Sequence, residues 1–446
     1  MVEHLTILED YLLQDIADMH PSEIAKVLRE LSEEEFARYI HKIPNELLAY
    51  VVFELPDRYF GEIIDNIATE DLTYSIQELE SDDKTDFMQY LEEYDVQKAQ
   101  EVFEALDQNE QEEILELKKY DENLAGAYMQ KEVFSAKEDE NTDSVIKRFA
   151  RLKKNHEIEN VQYLFVTKEN NYLSFGISLE DLLIFDFKRS IIENIRNSSD
   201  EEFIPTIGYD TQSIDEIVTI FKEYDLSVLP IVNEKNILVG RITSDDIYDV
   251  INEQATEQMY NMAGVDDVAE EEEDIVQAGK KRAFWLGLNL LTAIMASVVI
   301  GMFSQTLETL VALAILMPIV ASMGGNAGTQ SLTVVVRQLA LGNIASKDAI
   351  RTIKKEVILS IGNGLIFATI MGIIASFWFH QGMLGVVIAL SMVINLLAAG
   401  FFGAAIPLLL KKFNIDPAIG STVILTTVTD IVGFLSFLGL ATVILL

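Results

Sequence analysis

The distribution of apolar residues divides the chain near residue 283. Before it, apolar and charged residues alternate over short distances; after it, the stretches 283–303, 309–336 and 357–410 contain no Asp, Glu, Lys or Arg. An α-helix needs about 20 consecutive, mostly apolar residues to cross a bilayer. The pattern therefore predicts five membrane-spanning helices, at about 283–304, 310–336, 356–378, 384–410 and 418–445.

Basic residues mark alternate ends of these helices. The loops 304–308 and 379–382 contain no Lys or Arg. The other helix ends carry Lys280, Lys281, Arg282, Arg337, Lys347, Arg351, Lys354, Lys355, Lys411 and Lys412. Because Lys and Arg accumulate on the cytoplasmic side, we expect a multi-pass protein of the cell membrane with its N-terminus in the cytoplasm and its C-terminus outside. A soluble helical core would not show this loop asymmetry.

Residues 1–130 show a different periodicity. Short segments such as SEIAKVLREL and NELLAYVVFEL place apolar residues at i, i+3, i+4 and i+7, the spacing of one helix face. Ser, Asp, Asn or Pro separates the segments. We expect an all-α superhelix of short hairpins, forming an acidic N-domain.

Residues 131–251 contain a repeat of alternating strand and helix patterns. The segment LFVTKENNYLSFGISLEDL (164–182) aligns with LPIVNEKNILVGRITSDDI (229–247). Each copy reads as strand, turn, strand and helix start, and the pair resembles a tandem CBS module of α/β fold. In the first copy Gly176 is one position out of line with Gly240. The CBS resemblance implies ATP or another adenine nucleotide as a ligand, held through Thr243 and Asp246.

Residues 252–282 join this module to the first span. The stretch reads as a polar helix, then an acidic run, then a basic end. A solvated linker and a long connecting, plug-like helix are both compatible with this pattern. Its position between the soluble modules and the spans favours a coupling role.

The charge of the chain is concentrated in its soluble half. The formal net charge is −39, yet 283–446 contains seven Lys/Arg and five Asp/Glu, so nearly all the negative charge precedes residue 283. Such a surface attracts cations and argues against nucleic acid as a partner, because phosphate binding needs Lys and Arg. The chain has no Cys, which excludes thiolate metal sites.

Two polar features interrupt the apolar half. Asp430 is the only acid well inside a predicted span, and a charged residue there indicates function. The second feature, MGGNAGTQ (323–330), offers small residues for close helix packing, carbonyls where glycine loosens the helix, and the amides of Asn326 and Gln330. Donors that are all oxygen suit a hard cation such as Mg²⁺, which keeps several waters.

The chain resembles the MgtE family of magnesium channels over nearly its whole length. The resemblance rests on HPSEIAKVLREL, YDLSVLPIV, GRITSDDIYDVI, PIVASMGGNAGTQS and DPAIGSTVILTTVTD. It implies a homodimer with a central cation path, five membrane helices, and closure by Mg²⁺ bound among acidic cytosolic domains. The motif match makes Asp430 the pore carboxylate and Asn326 a pore-lining amide.

Candidate ligands for regulatory Mg²⁺ lie throughout the acidic half. Helical spacing places three acids on one face, and others fall in or after the second CBS copy or at the cytoplasmic mouth of the fifth span. These candidates are Asp82, Asp83, Asp86, Asp225, Asp246, Asp249, Glu257 and Asp416. Each is equally compatible with a solvated surface charge.

We therefore expect a multidomain protein with an N-domain (1–130), a tandem CBS pair (131–251), a connecting helix (252–282) and a five-helix transmembrane domain (283–446). The favoured function is a magnesium channel closed by cytosolic Mg²⁺. One alternative is a divalent-cation exchanger coupled to a counter-ion. Another is a membrane-bound enzyme or nucleotide sensor, although the sequence shows no phosphate loop or catalytic triad.

Overall fold

A computed structural model describes residues 20–56, 58–155, 158, 160–198, 200–265, 275–341, 344, 348–413 and 415–446. The predicted acidic run of the linker, within 266–274, and the basic Lys347 lie outside these residues. The chain divides into two compact units, Met1–Glu253 and Gln254–Leu446, which are described separately.

The first unit begins with eight short helices among the described residues, as the periodicity predicts. They are α1 (Pro21–Leu28), α2 (Glu33–Ile40), α3 (Asn45–Phe53), α4 (Arg58–Asn66), α5 (Thr69–Gln77), α6 (Ser81–Tyr94), α7 (Val96–Ala105) and α8 (Gln108–Leu117). Capping boxes at Ser32 and Asp107 fix two of the starts. One face of each helix contributes to a shared core that includes Phe36, Leu48 and Phe87.

Two similar three-stranded sheets follow in the same unit. The first contains β1 (Ser135–Lys137), β2 (Tyr163–Thr167) and β3 (Leu173–Ser178); the second contains β4 (Gly208–Tyr209), β5 (Val228–Val232) and β6 (Leu238–Thr243). In each sheet the first pair of strands is parallel and the second antiparallel. Gly176 pairs with Phe165, whereas Gly240 pairs with Ile231. Because these partners lie at successive strand positions, the one-residue offset between the copies is confirmed.

Helices connect and flank these strands. They are α9 (Thr142–Lys154), α10 (Leu179–Ile184), α11 (Ile191–Asn197), α12 (Ile214–Tyr224) and α13 (Ser244–Ala263), with short 3₁₀ turns at Glu169–Asn171 and Asp200–Phe203. The predicted α/β character of this module is confirmed.

The second unit contains five helices long and apolar enough to cross a membrane within the described residues. They belong to α14 (Ile275–Gly301), α16 (Val311–Ala340), α17 (Ala349–Phe379), α18 (Gly382–Lys412) and α19 (Ser421–Leu445); a short helix, α15 (Ser304–Thr309), precedes α16. His380, at φ +52°, ends α17 in the left-handed conformation at the predicted break.

Helix α18 is the most buried of the five and contacts α16, α17 and α19. Small residues permit the close approach: a methyl group at Gly403 would lie 2.7 Å from the Gly328 carbonyl oxygen of α16. Such contacts drive helix association in lipid, where no hydrophobic force acts between helices.

Candidate functional site

A polar stripe runs along the exposed side of α16. Ser322, Asn326, Gln330 and Thr333 recur every three or four residues, and all four are exposed. Asn326 Nδ2 donates a hydrogen bond to Ser322 Oγ at 3.3 Å. Polar side chains at membrane depth face a protein interior or a wet cavity rather than lipid. The stripe therefore marks a face of α16 that another polar surface must cover.

The expectation that glycine loosens this helix is wrong. Helix α16 is continuous from Val311 to Ala340 and passes through Pro318 and the whole of MGGNAGTQ. Backbone groups in an apolar medium must stay paired, and a continuous helix achieves this. Gly324 and Gly328 instead allow close packing, since Asn395 and Leu425 occupy the space of their missing side chains. The stripe presents side-chain oxygens, not freed carbonyls.

Helix α19 carries a second stripe, formed by Thr422, Thr426 and Asp430 at intervals of four residues, all partly exposed. Thr422 Oγ1 donates to the Met262 carbonyl oxygen at 3.0 Å, and Thr426 Oγ1 donates to that of Thr422 at 3.0 Å. Because the hydroxyl protons are used in these bonds, the two oxygens keep lone pairs that can accept from water or bind a cation. Within the described chain the Asp430 carboxylate makes no hydrogen bond or ion pair.

A cluster of acids lies in the first unit, where the start of α6 meets the start of α13. Asp82, Asp83 and Asp86 do lie together, and Asp246 is close enough to raise the pKa of each. Burial is the largest cause: it raises the pKa of Asp82 well above its usual value, and the pKa values of Asp83 and Asp86 to about 7. Burial likewise raises the pKa of Asp246 to about 6, against the opposing effect of hydrogen bonds from Thr243. We call this group, together with Glu80, the acidic cluster.

Hydrogen bonds and ion pairs balance only part of the negative charge of the acidic cluster. Asp82 is only 6% exposed, and its Oδ1 has no hydrogen-bond partner among the described residues. Glu80 accepts a hydrogen bond from Arg241 Nη2 at 3.2 Å. Burial raises the pKa of Glu80 to about 7 although Arg241 lowers it. Buried carboxylates that repel one another favour protons or cations.

The other predicted ligands are more dispersed. Asp249 borders the acidic cluster, and partial burial followed by the charge of Asp245 raises its pKa. Asp225 ends α12 in the left-handed conformation and lines a separate cavity of about 440 Å³. In the second unit, Asn261 Nδ2 lies 3.3 Å from Glu257 Oε1 and 3.1 Å from Asp416 Oδ2. One amide thus joins Glu257 and Asp416.

Sequence patterns do not mark several residues of these sites. Periodicity gives no signal for Glu80 and Arg241, because their hydrogen bond joins residues 161 positions apart. It gives none for Glu132 either, whose charge adds to the effect of burial in raising the pKa of Asp83. In the part of the chain that the structure describes, no three His, Asp or Glu residues already form a metal-binding group. A divalent ion would require the acids to move or to bind through water.

The suspected nucleotide residues contact each other. Asp246 Oδ2 accepts hydrogen bonds from the Thr243 backbone N–H at 3.0 Å and from Thr243 Oγ1 at 2.8 Å. In the first copy, Ser178 Oγ donates to Asp181 Oδ2 at 2.6 Å. These bonds stabilise the starts of helices, so a Thr or Ser followed three residues later by Asp is explained in both copies without a ligand.

Known families match three parts of the chain. A divalent cation transporter family, MgtE, matches residues 317–440; the MgtE intracellular N domain matches 19–123; and the CBS domain matches 203–253.

Two solved structures resemble the soluble half. The cytosolic domain of the Mg²⁺ channel MgtE in complex with ATP is 26% identical, with a TM-score of 0.47, over 55% of this chain and 92% of that one. The soluble part of a magnesium transporter is 21% identical, with a TM-score of 0.48, over 57% and 98%.

Similar whole proteins are magnesium transporters. The magnesium transporter MgtE of Bacillus subtilis is 33% identical over 285 residues, covering 64% of this chain and 62% of that protein. The magnesium transporter MgtE of Thermus thermophilus is 31% identical over 331 residues, covering 74% and 72%. With this relative and the family matches in both halves, the chain belongs to the MgtE family of magnesium transporters.

Proposed function

We propose that this transporter works as a channel, through which Mg²⁺ enters the cell down its electrochemical gradient. The observation that carries the proposal is the partly exposed Asp430 carboxylate, which has no partner in the described chain and continues the stripe of Thr422 and Thr426. A carboxylate at this depth is costly unless it faces a partner or a water-filled cavity, and such residues mark ion pathways. With the N-terminus in the cytoplasm, the membrane potential contributes about 2.3 kcal/mol per charge per 100 mV to entry.

A homodimer would give the polar stripes a partner. The stripe of α16, centred on Asn326, and that of α19, ending at Asp430, are exposed in the single chain. Two copies around a twofold axis would enclose a passage with two carboxylates and neutral oxygens. Mg²⁺ dehydrates reluctantly, so these groups would contact an ion that retains water.

We further propose that cytosolic Mg²⁺ closes the channel by binding among the acids. Asp82, Asp83, Asp86 and Asp246 have raised pKa values because they are buried close together. A divalent ion would offset their repulsion, and its loss would loosen the contact between α6 and α13. The remaining candidate ligands for this role are Asp225, Asp249, Glu257 and Asp416.

A nucleotide is the second ligand that we propose for the CBS pair. The two hydrogen bonds that Asp246 accepts from Thr243 both end on Oδ2, so Oδ1 can accept a hydrogen bond from a ribose hydroxyl. Calorimetric titration with ATP tests this idea. Asp246→Asn should weaken ATP binding, whereas Asp181→Asn in the first copy should not, and ATP binding unaffected by Asp246→Asn would reject the site.

Flux in liposomes tests the channel. Asp430→Asn keeps the size of the side chain and removes its charge, and we expect at least roughly tenfold slower Mg²⁺ uptake, the factor that corresponds to about 1.4 kcal/mol. Asp348→Asn, at the start of α17, is the matched control and should retain uptake. Unchanged uptake in Asp430→Asn would exclude this carboxylate from the path. Uptake that requires a counter-ion gradient would favour a coupled exchanger.

Truncation tests the gating. A protein lacking residues 1–250 should conduct Mg²⁺ without closing when Mg²⁺ is raised on the cytoplasmic side. Closure that persists in the truncated protein would contradict the assignment of the sensor to the acidic half.

A further inference from the structure

One buried amide lies where α16, α18 and α19 meet. Asn395, in the middle of α18, is only 1% exposed. Its Nδ2 donates a hydrogen bond to the Val320 carbonyl oxygen of α16 at 2.9 Å. Its Oδ1 has no partner among the described residues. Buried polar groups are almost always paired, so an unpaired amide oxygen calls for an explanation.

Two glycines, one from each neighbouring helix, make room for this side chain. A methyl group at Gly324 of α16 would lie 2.2 Å from Asn395 Nδ2, and one at Gly433 of α19 would lie 2.8 Å from the same atom. Neither position can gain a side chain without displacing the amide. The three residues form an interlock, in which the size of one amide sets how closely α16 and α19 approach.

The interlock touches both segments that carry the proposed pore groups. Gly324 precedes Asn326 by two residues, and Gly433 follows Asp430 by three. A shift of either glycine must therefore displace the pore group on the same helix turn. Asn395 itself is too buried to reach a passing ion.

We propose that Asn395 is a positioning residue that sets the spacing of Asn326 and Asp430 and so determines selectivity by ion size. This inference rests on the proposed channel function. Helices in lipid associate through small residues and interhelical hydrogen bonds, and the interlock combines both, through its two glycines and the bond from Asn395. Whether the oxygens belong to water or to protein, Mg²⁺ holds them at 2.0–2.1 Å and Ca²⁺ at 2.3–2.6 Å, so the coordination shell of Ca²⁺ is the wider one. Loosening the interlock should therefore admit the larger ion.

Uptake of Mg²⁺ and Ca²⁺ by proteoliposomes containing the full chain provides the test. In Asn395→Ala we expect the Ca²⁺-to-Mg²⁺ uptake ratio to rise by at least about threefold, the factor expected from the loss of one interhelical hydrogen bond. Ser391→Ala is the matched control, because Ser391 is equally buried one turn earlier and bonds only within its own helix. The control should keep the wild-type ratio.

A second variant perturbs the same contact from α19. Gly433→Ala pushes against the amide and should also change the ratio, which keeps the proposal testable if Asn395→Ala does not fold. Folded Asn395→Ala or Gly433→Ala protein with the wild-type ratio would overturn the positioning role, as would an equal change in Ser391→Ala. Absence of Mg²⁺ uptake in the wild-type protein would instead refute the channel.

Discussion

The guanidinium of Arg241 lies 3.2 Å from a carboxylate oxygen of Glu80. The acidic cluster is therefore in contact with a positively charged side chain of the protein. Arg241 is only 3% exposed, and its Nη1 also donates to the Asn160 carbonyl oxygen at 3.3 Å. The antiparallel bridge between Gln130 and Arg241 holds its backbone. Arg241 thus compensates part of a charge that Mg²⁺ is proposed to compensate further.

Arg241→Gln should make the first unit more dependent on Mg²⁺. Removing one partner of a buried ion pair costs about 3–5 kcal/mol, and partial exposure of Glu80 places the expected loss at the lower end. Added Mg²⁺ should recover part of it by binding the folded form. Thermal unfolding with and without Mg²⁺ measures the effect, and the rise in melting temperature caused by Mg²⁺ should be larger in the variant.

Arg189→Gln provides the control for this experiment. Arg189 pairs with Asp186 at 3.3 Å, and both side chains are about half exposed, so its loss should change stability little. An equal effect of Mg²⁺ on wild type and Arg241→Gln would contradict the compensating role of Arg241.

Stability of the first unit should fall as the pH rises, provided that divalent ions are absent. The pKa values of Glu80, Asp83 and Asp86 are raised to about 7 and that of Asp246 to about 6. The folded arrangement therefore binds more protons than the separated groups, and it loses stability as the pH rises through about 7. Melting of the full chain in a chelator at about pH 5.5 and about pH 8 should show the lower value at the higher pH.

Mg²⁺ should reduce this pH dependence. A divalent ion replaces the protons, so its stabilising effect should be greater at about pH 8 than at about pH 5.5. A melting temperature that rises with pH in the chelator would show that the acidic cluster does not control stability.

The sequence predicts the elements better than the contacts between distant segments. The length of the uncharged stretches is enough to predict the five spans, because the hydrocarbon core of the bilayer excludes charge over a fixed thickness. The internal repeat of strand and helix patterns is enough to predict the two sheets, and helical spacing is enough to predict the N-domain. A lone acid in an apolar helix is sufficient to single out Asp430.

Pairings between distant residues have no such signal. Arg241 and Glu80 are far apart in sequence, and nothing local distinguishes this Arg from a surface Arg. The sequence shows Asn395 only as an amide within an apolar stretch, because its position between Gly324 and Gly433 depends on how three helices pack. The glycines of MGGNAGTQ show the same limit, because their composition alone does not separate a loosened helix from a packing face.

Asn261 should hold Glu257 and Asp416 together when Mg²⁺ is absent. Its Nδ2 lies within 3.3 Å of both carboxylates, and an amide donor to a charged acceptor contributes about 1.5–3 kcal/mol. Asn261→Leu removes the donor, so we expect a lower melting temperature in chelator and partial recovery with Mg²⁺. Asn45→Leu removes a comparable amide donor, which lies 2.7 Å from Asp71 Oδ1, and should show no such recovery. A variant indifferent to Mg²⁺ would indicate that these acids bind no ion.

Near the connection between α16 and α17, the membrane unit contains a buried carboxylate apart from the Asp430 stripe. Ser331 Oγ of α16 donates to Glu356 Oε2 of α17 at 2.9 Å, and Glu356 is 6% exposed. Ser331→Ala removes the hydrogen-bond donor to the Glu356 carboxylate and should destabilise the unit by about 1–3 kcal/mol. Glu356→Gln retains an acceptor and should cost less.

Replacing both partners separates a hydrogen-bond effect from a packing effect. If the Ser331–Glu356 bond matters, Ser331→Ala combined with Glu356→Leu should cost less than the sum of the two single changes, because neither group is then left unsatisfied. Thermal unfolding in detergent measures all three variants. Mg²⁺ uptake should persist in Glu356→Gln, since the proposed path uses Asp430. Additive losses would show that the two side chains act independently, and loss of uptake in folded Glu356→Gln would place this carboxylate in the transport path.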